Sequence, residues 1–226
     1  MFTGFTDETV DFLWGIRFNN EKPWFEAHKD AYLTHLYGPM RDLGDEVYDW
    51  FGDRRPDTAL IRKVSRIYRD ARRLHGRGPY KESLWISVEA PVEQWTATPS
   101  FWFELGPEVW AYGLGYYMAR PVTMARFRAR MDRDPKVMES LTRQLNRQSE
   151  FVLEGPEYRR PKSEPASKIL EPWYLKKGFS IIHEEKLSDV LFSRDLVERL
   201  ETGYQFLLPF YDYFSTLDGD PDPRIL

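Results

Sequence analysis

The chain has 226 residues, 42% hydrophobic and 16% aromatic, with a formal net charge of −4 at pH 7. That is length enough for one domain with a sizeable core, and no stretch approaches the roughly 18 consecutive apolar residues of a membrane span. Cysteine is absent, which excludes disulfides, thiolate nucleophiles and thiolate-held metals. The first residues lack the basic start and apolar run of a secretory signal, so a cytoplasmic protein without membrane association is expected.

Charge is unevenly spread. Residues 1–53 carry eleven acids against four bases, a net of −7. Residues 54–81 then hold ten Lys or Arg against two Asp, a net of +8, and residues 82–119 hold five acids and no base. A net of +6 follows over 120–183 and −6 over 184–226. This is the pattern of a folded protein with a local basic patch, not of a uniformly basic nucleic-acid binder.

Taken in chain order, Thr6 with Asp7 and Glu8 predicts a helix start, a cap followed by acids at the positive end of the dipole. This helix should end between Gly15 and Asn19. Asn20 has the chemistry of the next cap, with Pro23 in the first turn and Trp24, His28, Tyr32 and Leu36 at four-residue spacing. Gly38-Pro39 should kink or break that helix, and the pattern resumes from Met40 to Phe51. From Val64 the chain alternates apolar and charged residues like a half-buried strand until Gly76, Gly78 and Pro79 impose a loop.

Three further strands are expected at Leu84–Glu89, Phe101–Leu105 and Val109–Tyr117, the last two joined by a short hairpin link. Gly113 and Gly115 share a strand face and mark a bend or a close backbone approach. Helices are expected from Pro121 and from Asp134-Pro135. The stretch from Gly155 to Pro165 is irregular and basic, with Tyr158, Arg159, Arg160 and Lys162. A short helix over 165–170 and a strand over 179–183 follow. Ser193 should cap a final helix interrupted at Pro209. The whole predicts a single α+β domain over 1–217, with an antiparallel sheet of four to six strands, a meander over 62–118, and helices at both ends and in the middle. Residues 218–226 are expected to form a flexible acidic tail.

Ser65-Arg66-Ile67-Tyr68-Arg69-Asp70-Ala71-Arg72 with Pro79-Tyr80-Lys81 is the most distinctive part of the sequence. Together with Phe2-Thr3-Gly4-Phe5, Asn19-Asn20, Trp24-Phe25 and His28-Lys29, it resembles the family called domain of unknown function 2461 over roughly residues 2 to 215. Arg73 stands where the family usually has Phe, and Arg77 where it usually has Lys. The resemblance implies no established activity.

Function is therefore read from the residues. Arg forks suit carboxylate and phosphate, and an Arg on an inward strand face requires a partner, protein or ligand. The sequence reads as a protein that binds, and in an enzymatic variant of the same reading turns over, an anionic small molecule bearing phosphate or carboxylate. The expected site joins Asn19, Asn20 and Trp24 to Arg66, Arg69, Asp70, Arg72, Tyr80 and Lys81, with the helix start at Asn20 adding its dipole. Two alternatives stand beside it. One is nucleic-acid association through this stretch and the basic helix of Arg126, Arg128, Arg130 and Arg133, with Trp85, Trp102 and Trp110 as stacking platforms. The other is a purely structural Arg/Asp network. Asp70 or Glu104 would be a base whose tuning depends on its surroundings. No Walker, dinucleotide, esterase or His-Glu-x-x-His motif occurs, and neither a metal nor a cofactor is expected.

Overall fold

A computed structural model describes residues 1–74, 76–91 and 98–225, so His75 lies outside the described residues. Helix α1 spans Asp7–Phe18. At its start the Thr9 hydroxyl accepts the Thr6 N–H at 3.1 Å and donates to the His35 carbonyl at 2.5 Å. Helices α2 (Lys22–Ala27) and α3 (Lys29–Ala31) lead into a π-helical turn, Tyr32–Tyr37, and then α4, Gly38–Arg54. The chain does not break at Gly38-Pro39; the irregularity there is the π-helical turn that ends at Tyr37. Pro39 has no N–H to offer the carbonyl four residues back, that of His35. The Thr9 hydroxyl takes that acceptor instead, while the Gly38 N–H reaches Leu33 O in the wider turn.

The sheet comprises β1 (Ile61–Val64), β2 (Leu84–Glu89), β3 (Ser100–Leu105), β4 (Val109–Gly115), β5 (Val152–Glu154) and β6 (Ser180–Lys186). Its six strands run antiparallel in the order β1-β2-β3-β4-β6-β5, so the α+β class and the meander are as the sequence predicts. β1 stops at Val64, short of the expected strand. Beyond it the chain stays extended and pairs with residues 79–81 through Arg69 N–H to Pro79 O (2.8 Å) and Lys81 N–H to Ile67 O (2.7 Å). A 3-10 turn, Ala71–Arg73, then turns the chain toward the loop.

Helices α5 (Pro121–Arg133), α6 (Lys136–Asn146), α7 (Glu171–Leu175) and α8 (Asp195–Ser215) follow. The Ser193 hydroxyl accepts the Asp195 N–H at 3.2 Å, as its capping role requires. Pro209 does not interrupt α8; Leu207, Leu208, Phe210 and Phe214 around it are buried, and that burial outweighs one missing helical bond.

Contacts divide the chain into two compact units. In the first (Met1–Val88, Trp102–Tyr112 and Glu184–Gly203), Phe12, Leu13 and Ile16 of α1 and Met40, Leu43 and Val47 of α4 are buried, as are Leu84, Ile86 and Phe103 of the strands. Alternate burial along β3 leaves Trp102 and Glu104 on the opposite face, and Trp85 at the start of β2 is likewise partly exposed. In the second unit (Glu89–Phe101, Gly113–His183 and Tyr204–Leu226), Phe127, Trp173, Phe179 and Phe214 form an aromatic cluster with ring centroids 4.9–6.1 Å apart. There Asp218 and Asp220, placed by the sequence in the expected flexible tail, accept from Arg126 and Arg130 of α5, each at 2.6 Å.

Gly113 and Gly115 mark a close backbone approach: an added Cβ would collide with Ile181 O at the first and with Ser180 at the second. Gly113→Ala is expected to lower stability by about 1–3 kcal/mol in urea unfolding, the range of overpacking changes. Gly52→Ala in α4, with nothing within 4 Å of the new methyl, should be neutral or gain up to about 1 kcal/mol of helix propensity. Equal responses from the two variants would contradict the close approach.

Candidate functional site

The basic stretch is held by one side-chain amide. Asn20 donates through Nδ2 to Tyr80 O at 3.0 Å and accepts the Tyr80 N–H on Oδ1 at 2.9 Å, so its amide behaves as the peptide unit of a neighbouring strand. The Tyr80 carbonyl also accepts Arg69 Nε at 2.6 Å. Gly78 is required here, because any Cβ would collide with the Asn20 side chain. The Tyr80 ring is buried, stacked on Phe25 at 4.4 Å and tilted against Tyr68 at 5.4 Å. Asn20 is therefore not the expected helix cap; that position belongs to Glu21. A six-residue α2 with an acidic cap supplies no anion site at its start.

Strand alternation then sorts the residues around Tyr80. Ile67 and Arg69 turn inward, and Arg69 meets Glu82 at 3.2 Å. Glu82 also accepts from Arg17 Nε at 3.0 Å, and Arg17 reaches Glu108 at 2.8 Å. Arg62 pairs with Asp45 at 2.8 Å. Asp70 accepts from the Arg72 backbone and both edges of its guanidinium within 3.0 Å, an exposed pair two residues apart. Asn19 turns back to its own helix, donating to Gly15 O at 3.0 Å. Trp24 packs on Gly15 and stacks on His28 at 4.0 Å. The structure thus joins Asn20, Arg69 and Tyr80, and sets Asn19, Trp24 and the Asp70–Arg72 pair apart from them.

On the opposite face stand Lys81 and Arg66. Lys81 Nζ donates to Arg66 O at 2.7 Å and lies 5.7 Å from the Trp85 ring centre. Among the described residues no carboxylate lies within ion-pair distance of Lys81 or of the exposed Arg66 side chain. Burial, followed by the positive charge of Arg66, holds the Lys81 amine below the usual lysine value, and Glu104 pulls weakly the other way. Glu104 is engaged by the Ser83 hydroxyl at 2.5 Å. Sequence reasoning missed Arg17, Glu82, Ser83 and Glu108, although parity carries a signal: Glu82 shares the inward register of buried Leu84 and therefore needs a cation.

These observations define an α+β protein whose basic segment pairs Arg69 with Glu82 on one face and, among the described residues, leaves Lys81 and Arg66 without an ion pair on the other. The family model described as "Conserved hypothetical protein (DUF2461)" matches residues 8–213, and the chain belongs to that family. No curated protein matches it.

Asn20→Ala leaves the Tyr80 N–H unpaired and is expected to cost about 1–3 kcal/mol in urea unfolding. Asn20→Asp should not restore the loss, since a carboxylate cannot donate to Tyr80 O; parent-like stability in either variant would refute the clamp. Lys81 gives a pH signature. Its folded value lies below the 10.5 of an ordinary lysine, so the unfolded chain binds more protons between the two values and stability rises with pH across that window. Lys81→Met should flatten this rise, and an unchanged slope would place the lysine in water.

Proposed function

We propose that this protein binds a small anionic molecule, carrying phosphate or carboxylate, between Lys81 and Arg66. The observation that supports this best is the half-buried Lys81 ammonium, which faces Arg66 without a carboxylate partner among the described residues. Two like charges at a partly desolvated site repel, and a bound anion would relieve the repulsion. Trp85 offers an apolar flank beside the amine, which strengthens charge contacts by excluding water. Ser83 and Glu104 lie on the same face and add an acceptor for a ligand hydroxyl, so hydroxylated acids and sugar phosphates are the favoured class. In the enzymatic variant of this reading Glu104 is the base.

Arg69 and Asn20 have a different role: their bonds go to Tyr80 and Glu82, which favours the structural reading for that half of the stretch. The nucleic-acid alternative is weakened separately. Arg126 and Arg130 are paired with Asp218 and Asp220, and Arg128 is buried, so the basic helix has little free charge for a polyanion.

Calorimetric titration at low salt with phosphorylated and hydroxylated carboxylate metabolites tests the proposal. Arg66→Ala and Lys81→Met should each weaken binding about tenfold or more, the usual worth of a charge-assisted contact. Affinity should also fall as pH rises and Lys81 loses its proton. A double variant that binds as the parent does, or a parent that responds to no anion, would overturn it.

A further inference from the structure

The irregular basic stretch after β5 forms a second concentration of charge, within the second unit. Residues 156–158 run antiparallel to 175–177, with Tyr158 N–H on Leu175 O at 2.8 Å and Lys177 N–H on Pro156 O at 2.7 Å. Alternation across this bridge sends Glu157 and Lys176 one way, where they pair at 2.7 Å. It sends Tyr158 and Lys177 the other way. The half-buried Tyr158 ring then has three cations about its centre: Lys162 Nζ at 4.6 Å, Lys177 Nζ at 5.2 Å and the Arg128 guanidinium at 5.6 Å.

The charge of Asp132 acts on Arg128 without forming an ion pair with it. Arg128 is 8% exposed and donates to three carbonyls, of Tyr174, Met124 and Lys176, at 3.3, 3.1 and 2.6 Å. Burial is the main influence on it and lowers its pKa. Asp132, one turn along α5, is engaged by the Tyr174 hydroxyl, and Glu157 by Lys176. Among the described residues no carboxylate lies within ion-pair distance of Arg128, Lys162 or Lys177. An aromatic quadrupole attracts each cation at short range but has no net charge with which to cancel three. Carbonyl dipoles have the same limit. A buried guanidinium that makes no ion pair among the described residues, beside two exposed lysine heads, is an arrangement a charged ligand completes.

We infer that Arg128, Lys162 and Lys177 form, around Tyr158, an anion site for the phosphate or sulfate group of a small molecule, separate from the Lys81 site. Buried Arg128 supplies a fixed positive field, and the two exposed lysines close over the oxyanion. Tyr158 keeps the lysine heads at the site when it is empty.

Pyrophosphate is the probe, titrated calorimetrically at low salt into the Arg66→Ala/Lys81→Met protein, in which the first site is disabled. One-to-one binding is expected there, weakened about tenfold or more when Lys162→Ala and Lys177→Ala are added. Arg128 is left intact because its removal would strip partners from three carbonyls. Titration followed by NMR should shift the Tyr158 ring resonances, a response that a merely structural lysine pair would not give. Absence of pyrophosphate binding in the background protein, or undiminished binding without the two lysines, overturns the inference. Failure of the Lys81 reading shows differently, as identical titrations of metabolites into the parent and the background protein.

Discussion

The pairing of the Asn20 amide with the Tyr80 main chain is the constraint on which the basic stretch depends. A side-chain amide has the donor and acceptor of a peptide unit, and here it uses both on one residue. Once Tyr80 is fixed, the alternation of an extended chain places Lys81 and Glu82 on opposite faces. Glu82 meets Arg69 and Arg17 on one side, and Lys81 meets Arg66 and Trp85 on the other. Within a segment of net charge +8 over residues 54–81, Arg69 is thereby neutralised and Lys81 is set beside Arg66.

The two halves differ in energetic character. Arg69 and Glu82 side chains are 17% and 35% exposed and belong to a connected network, where loss of one partner strands another charge. Arg72 and Asp70 are 87% and 37% exposed, and water screens such a local pair so that it adds little to stability. Lys81 belongs to neither case. It is partly desolvated, bonded to a carbonyl and set against a like charge, so keeping its proton there costs stability. Retention of an unfavourable charge is what makes this face, and not the better-bonded Asn20 side, the place to look for chemistry.

Sequence pattern alone was sufficient for the α+β class, the antiparallel meander and the starts of α1 and α8, and it marked Gly113 and Gly115 as a bend or a close approach. These rest on local signals: caps, period-two alternation and glycines lacking a side chain. What escaped it was non-local. Nothing near Asn20 announces Tyr80, sixty residues away in the chain, and a cap was the nearer explanation for an Asn before a helix. Thr9 filling the acceptor that Pro39 leaves open is a contact of the same kind, and it satisfies the carbonyl that the proline cannot. β5 has three residues, too few for any period to show. Arg66 and Lys81 were legible as basic, but only burial and partner choice separate them from Arg69 and Arg72.

The titration of the Lys81 amine, followed by side-chain NMR with and without phosphate, tests this division most directly. The expected result is a titration below the 10.5 of an ordinary lysine in the free protein, moving back up when phosphate binds, and absent from the spectrum of Lys81→Met. A lysine that titrates at its ordinary value in both samples would contradict the account, because it would show neither burial nor an uncompensated neighbour at that face.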